Sequence, residues 1–235
     1  MRARGHYGVM ARCIMKTESI KKLNFIYQRS EDEIIKQTVL EILRIEENRV
    51  SGKFDYYKYV SKEPFREVLM GVYHKNGFKV ATNAHILVAI KDEYDVSELE
   101  GRVLKKDGEL LKEEDGYKYP NWESVIPDLS NKRCPKVSEV VKIDFDKWKE
   151  IYAHYKADKK IGAEKGGVKV GKAYYGIELF NLLIAALKRI GKDEFINVWN
   201  IDGKVEYPAA GFMKADDGSV VLLMPKRCDG EYYEL

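Results

Sequence analysis

The chain has 235 residues, 45% of them hydrophobic and 34% charged, and a net charge of +3. That composition excludes a wholly disordered chain and allows a core large enough for one big domain or two small ones. The weak net charge excludes polyanion binding by the whole surface, so any nucleic-acid footprint must be local.

Met1, Met10 and Met15 are each candidate starts, and helical patterning begins only after Met15. Arg12 interrupts the one stretch that could serve as a leader, and no apolar run approaches the roughly 20 residues of a membrane span. The three cysteines, Cys13, Cys134 and Cys228, lack zinc or redox spacing. They read as free thiols, and the reading is a cytoplasmic protein without membrane association.

In chain order, the spacing predicts a short helix over Thr17–Tyr27 with Leu23 and Ile26 on one face. A second helix follows from Glu31 to Ile45, with Ile34, Ile35, Val39 and Ile42 on its apolar side. The Tyr56, Tyr57 and Tyr59 patch has no clear assignment. From Glu67 the texture turns to strands. A hairpin at Asn76-Gly77 separates Val68–Tyr73 from Phe78–Thr82. Further strands follow at Ile86–Ile90 and on either side of Asp107-Gly108. A polar stretch from Asp128 to Pro135 reads as a linker. Beyond it come a strand at Val140–Ile143, a helix capped by Asp144 and running to Lys159, and a strand at Val168–Val170. A third helix at Ile177–Ile190 stops at Gly191. Strands at Phe195–Trp199, Val205–Tyr207 and Ser219–Met224 complete the pattern.

Three stretches in this order resemble one family, the bacterial DNA polymerase III beta subunit or sliding clamp. Val80-Ala81-Thr82-Asn83-Ala84-His85-Ile86-Leu87-Val88 is similar to its Ala-Thr-Asp-Gly-His-Arg-Leu-Ala segment. Tyr119-Pro120-Asn121-Trp122 followed by Val125-Ile126-Pro127 resembles its Phe-Pro-Asp-Tyr and Val-Ile-Pro. Val221-Leu222-Leu223-Met224-Pro225-Lys226-Arg227 resembles its terminal Val-Met-Pro-Met-Arg, and the helix from Ile177 is similar to a helix of its last domain. The resemblance implies an α+β fold of two DNA-clamp-like domains with helices packed on antiparallel sheets. Their expected ranges are 1–130 (with a variable helical N-terminal part) and 137–227, with a tail over 228–235. The stretches Lys91–Lys118 and Lys160–Gly176 are shorter than the family's.

By matching position, the resemblance implies a cleft for a short apolar peptide of replication or repair partners, walled by Thr82, Ala84, His85, Ile86, Leu87, Pro127, Leu222, Met224 and Pro225. Apolar walls with an adaptable methionine suit such a ligand. The residues by themselves also fit the ends of core strands. Ile86 stands where the family has arginine, Ala84 where it has glycine and Lys226 where it has methionine, which implies a changed peptide specificity. The expectation is that Leu87 and Met224 lie close together, and that Leu87→Lys abolishes peptide binding with the fold intact.

Helical projection puts Phe145, Trp148, Ile151, Tyr152 and Tyr155 on one stripe of the Asp144 helix, opposite Glu150, Ala153, His154, Ala157 and Lys160, with Lys147 flanking. In the next helix Phe180, Leu183, Ile184 and Leu187 point inward, and Glu178, Asn181, Ala185, Lys188, Arg189 and Lys192 outward. In a clamp the outward faces line the hole. Lys147, Lys160, Lys188, Arg189 and Lys192, with Lys21 and Lys22 of the first helix, would then meet the phosphates of double-stranded DNA without reading bases. An ordinary solvated face fits any single lysine equally well.

The expectation is a binding protein, not an enzyme, with no cofactor and no metal. Asp128 with Asp202-Gly203-Lys204 could be forced into a nuclease pattern, but Asp-Gly is more simply a hairpin turn. His6, His74, His85 and His154 show no metal spacing. Two clamp domains per chain would close a six-domain ring as a homotrimer. Ser219–Met224 is the expected sheet edge, and the tail 228–235 could cover another. The shortened stretches favour a monomer or loose dimer.

Overall fold

The structure is a computed structural model. It describes 54–235 apart from 92–98, 131–135, 163–164, 203–204 and 228–229, and it also describes 22, 23, 25, 26, 29–32, 34–36, 38, 39 and 42. The side chains of 113, 136–137 and 201–208 are likewise outside the description. Residues 131–135 of the expected linker and the three cysteines fall outside the described residues.

The chain divides into two compact units, 1–53 and 54–235. In the first, 22, 23, 25, 26 and 29 are helical, as are 34–36, 38, 39 and 42. The Asp32 carboxylate accepts the backbone N–H groups of Ile34 (2.8 Å) and Ile35 (3.4 Å), satisfying donors that a helix start leaves open. Val39 is buried, but Ile26, Ile34 and Ile35 are exposed, so the expected apolar faces are only partly covered.

The second unit opens with Phe54 and the tyrosine patch, which the structure assigns to the core. Tyr56–Lys58 forms a 3-10 turn capped by Asp55. The Phe54 ring stacks on Tyr59 and meets Tyr56 edge-on, and the Tyr59 hydroxyl donates to the Leu182 carbonyl at 2.8 Å. A second 3-10 stretch covers Pro64–Leu69. The strands that follow are β1 (Gly71–Lys75), β2 (Phe78–Thr82), β3 (Ile86–Lys91), β4 (Arg102–Lys105) and β5 (Leu110–Lys112). Asn76 and Gly77 both take positive φ, 52° and 72°, the geometry a tight two-residue hairpin requires.

After a 3-10 turn at Trp122–Val125 come β6 (Lys136–Lys142), helix α1 (Phe145–Lys160), β7 (Gly167–Val170), β8 (Ala173–Tyr175) and helix α2 (Ile177–Arg189). The last strands are β9 (Glu194–Asp202), β10 (Val205–Lys214), β11 (Val220–Leu223) and β12 (Tyr232–Glu234). Asp144 caps α1 by accepting from Asp146 and Lys147. α2 ends as its sequence demands. Gly191 has φ 67°, its N–H reaches the Lys188 carbonyl, and the Lys192 N–H reaches that of Leu187.

Nine strands form one antiparallel sheet in the order β5-β4-β1-β2-β3-β11-β10-β9-β6, and β12-β7-β8 form a second. β3 pairs with β11, Leu87 opposite Leu222 and Ile86 opposite Leu223, so one sheet runs through both halves of 54–235. This corrects the expectation of an edge at Ser219–Met224, because β11 is central. Its uninterrupted run Val220-Val221-Leu222-Leu223 is buried on both faces, as a central strand must be. The edges of the large sheet are β5 and β6. The tail adds a strand to the small sheet. β12 pairs parallel with β7, and Tyr233 enters the core with its hydroxyl on Asp158.

One face of the large sheet carries Ile86, Val88, Val221 and Leu223 and packs with Trp148, Phe180, Leu183 and Leu187 of the helices. Gly211 has no room for a side chain there, since a Cβ would overlap the Phe195 ring and crowd the Tyr175 hydroxyl. The other face carries Tyr73, Val80, Leu87, Leu111 and Leu222 and is covered by Leu69, Tyr119 and Trp122.

Candidate functional site

The turn between β2 and β3 is held by its own side chains. The Thr82 hydroxyl donates to the Ile86 carbonyl at 2.7 Å and accepts the Ala84 N–H at 3.1 Å. The Asn83 side-chain oxygen accepts the N–H groups of His85 and Ile86, both at 3.0 Å. This winding puts Ala84 at φ 72°, a left-handed conformation that costs a residue with a Cβ about 1–2 kcal/mol. His85 is left exposed on the rim. Its carbonyl accepts the Met224 N–H at 2.8 Å, which extends the β3–β11 ladder by one step.

Facing this turn is the segment 119–127. The Tyr119 ring stacks on Tyr73 with centroids 4.4 Å apart, and Trp122 lies against Phe78. Asn121 caps the short turn by accepting the Glu123 N–H at 3.2 Å. The Tyr119 hydroxyl is buried without a hydrogen-bond partner among the described residues, and burial raises its pKa above the ordinary tyrosine value.

Between these elements lies a groove of about 460 Å³. Eight of the nine residues expected for the cleft line it: Thr82, Ala84, His85, Ile86, Leu87, Pro127, Leu222 and Met224. Pro225, half-buried, is not among the described lining residues. Leu87 and Met224, from opposite halves of the chain, share its wall. Sequence reasoning missed Leu69, Tyr119, Pro120, Trp122, Val125, Asn200, Ala209 and Ala210, which also line it. Tyr119, Pro120 and Trp122 stand in one of the motifs singled out above; Asn200, Ala209 and Ala210 carry no sequence signal. The described lining holds no aspartate, glutamate, lysine or arginine. Val125 is 54% exposed and Met224 41%, so apolar surface is open to a ligand.

The same geometry corrects one expectation. Leu87 is only 4% exposed and sits in the core beneath the groove, so a lysine there would bury a charge and damage the fold itself. Val125 and Met224 are exposed apolar groove positions that can be changed without opening the core.

The basic residues expected to face DNA are less uniform. Lys147 and Lys160 are exposed on α1, beside exposed His154. Lys188 is exposed, with its ammonium 4.7 Å from the Phe145 ring centroid. Lys192 lies 3.4 Å from the Asp216 carboxylate. Arg189 is half-buried, and its Nε has neither solvent nor a hydrogen-bond partner. Asn181, also expected outward, instead accepts the Trp148 indole N–H at 3.2 Å. Helix packing explains the Asn181 departure, because Trp148 of α1 reaches across to that side of α2. Lys22 is exposed and helical, and Lys21 lies outside the described residues.

Among the described residues, no group of three or more His, Cys, Asp or Glu side chains is placed to hold a metal ion. Asp202 pairs with Val205 at the β9–β10 hairpin, with Gly203 and Lys204 outside the description. No helix among the described residues is long and apolar enough to cross a membrane. No known protein family matches the chain, and no curated protein matches it.

Proposed function

We propose that this chain is a sliding-clamp-like processivity factor, which holds partner proteins by a short apolar peptide and binds double-stranded DNA without sequence preference. The observation that carries the reading is the groove. Segments from two ends of 54–235 meet there, and eight of its walls are the residues the clamp resemblance points to. In this reading 1–130 and 137–227 correspond to two clamp-like domains whose strands merge in one sheet. An extended apolar peptide would lay its anchors against Val125, Leu222 and Met224. Lys147, Lys160 and Lys188 would meet phosphates. A closed trimer would pair β6 of one copy with β5 of the next, since these are the edges of the large sheet.

A second reading, a clamp-derived module that binds partners but never encircles DNA, is favoured by one observation. Arg189 is half-buried and Lys192 is paired with Asp216, which leaves less free positive charge than the first reading asks for.

Duplex binding measured against salt separates the two. A DNA-tracking protein loses affinity steeply between about 50 and 200 mM salt, with a log–log slope of about −0.9 per phosphate contact, and Lys147→Ala with Lys160→Ala makes that slope shallower. Absence of duplex binding at low salt leaves the partner-binding module. Light scattering on the same sample gives a mass near three chains if the ring closes.

A further inference from the structure

The chain leaving β11 passes from the apolar groove to a second cavity of different character. Met224 lines the groove, and its N–H is fixed to the His85 carbonyl at 2.8 Å. Two residues on, the Lys226 N–H is fixed to the Tyr174 carbonyl at 2.8 Å. Residues 224–226 are thus held at both ends, and two residues of chain separate Met224 from Lys226 by no more than about 7 Å. At the far end Lys226 and Arg227 line a cavity of about 240 Å³ with Gly166, Gly167 and Tyr174. Lys226 Nζ donates to the Gly166 carbonyl at 3.0 Å, and Arg227 is exposed with no ion pair among the described residues. The described lining of this cavity holds two cations and no carboxylate, whereas the described lining of the groove holds no lysine, arginine or carboxylate.

We propose that the partner peptide is bipartite: its apolar anchors sit in the groove, and a carboxylate two or three residues from them is held by Lys226 and Arg227. This rests on the peptide-binding reading above and adds the chemistry that selects the peptide. A carboxylate facing a lysine and an arginine makes charge-assisted hydrogen bonds, and an arginine can grip it with two N–H groups at once. An extended peptide advances by about 3.3 Å per residue. An anchor beside Met224 thus places a residue two or three positions along it level with the two cations. A neutral groove followed by a cationic cavity rejects a charge among the anchors and favours one beside them.

The test is fluorescence anisotropy on the full chain with labelled decapeptides. Each carries Leu and Phe anchors flanked on one side or the other by Asp-Asp or by Asn-Asn. The expected result is that one acidic peptide binds about three- to tenfold more tightly than its amide twin at low salt. That advantage disappears in the K226A/R227A variant and at high salt, while binding of the amide peptide is unchanged. Val125→Asp weakens both peptides. Equal affinity of acidic and amide peptides, with both still sensitive to Val125→Asp, overturns the inference and leaves the groove reading standing. Failure of every peptide to bind overturns that reading and the inference with it. An acidic preference that survives K226A/R227A, or a variant that loses duplex DNA and not the acidic peptide, assigns the two cations elsewhere and also overturns it.

Discussion

The two faces of the nine-stranded sheet are closed in different ways. On one, the 16-residue α1 and the 13-residue α2 lie over the strands with the small sheet, and Phe180, Leu183, Leu187 and Phe195 are fully buried. On the other, the cover near β3 and β11 is a four-residue 3-10 turn at Trp122–Val125 and its flanking loop. A 16-residue α-helix spans about 24 Å, but four residues of 3-10 helix span only about 8 Å. The long helices can seal a face, whereas the short turn leaves the end of β3 and β11 uncovered. The groove is that uncovered end. Open apolar surface arises here from a shortage of covering structure, whereas the other face is sealed by its helices.

That contrast is open to attack by mutation. The largest effect belongs to the sealed face. Phe180→Ala removes a fully buried ring touching Trp148 and Tyr175, and leaves a cavity that the surrounding helices and sheet cannot fill. It should lower unfolding free energy by about 3–5 kcal/mol in urea denaturation. A loss under about 1 kcal/mol would mean that this face is not the stabilising one.

A smaller effect on the same face depends on pH. His74 on β1 is 5% exposed, opposite the equally buried Lys79 on β2. Burial, and then the Lys79 charge, pushes the His74 pKa down to about 3. The unfolded chain takes up a proton below about pH 6.5 and the folded one does not, so stability is full above pH 6.5 and falls as the pH drops. The slope is about 1.4 kcal/mol per pH unit, or about 2 kcal/mol at pH 5. Urea midpoints from pH 7.5 to 5 should show this decline in the natural chain, and His74→Leu should remove it. Parallel profiles in the two proteins would show that His74 is not the titrating group.

The smallest stability effect is expected on the open face. Val125→Ser changes a half-exposed side chain outside the two cores and should alter stability by less than about 0.5 kcal/mol, while weakening an apolar peptide. A large drop in melting temperature would show that the open face is in fact part of the core.

Features decided within a few residues are legible in the amino-acid sequence. The Asn76-Gly77 hairpin, the Asp144 cap and the Gly191 stop depend only on local φ and nearby donors, and each occurs where the residues put it. The stripes Phe145-Trp148-Ile151-Tyr155 and Phe180-Leu183-Leu187 are equally legible, because a helical period shows which side will be buried. The outward side is less so. Asn181 is half-covered and bonded to Trp148, since where α1 meets α2 is a matter of tertiary packing.

Strand order cannot be read in the same way. An apolar run such as Val220–Leu223 announces burial on two faces but not which neighbours bury it. It has the texture of an edge candidate and is instead the strand that joins both halves. The parallel pairing of Tyr232–Glu234 with β7 gives no local signature at all, because its partner lies some 65 residues earlier. The motifs at 82–87, 119–127 and 221–227 point to one site, and what makes it a groove is the β3–β11 pairing and the short turn above it. Sequence alone determined which residues would be apolar, capped or turned, because those preferences act over a few bonds. Only the tertiary structure decided which of them meet, because contacts between residues more than a hundred positions apart exist once the chain has chosen which faces to bury.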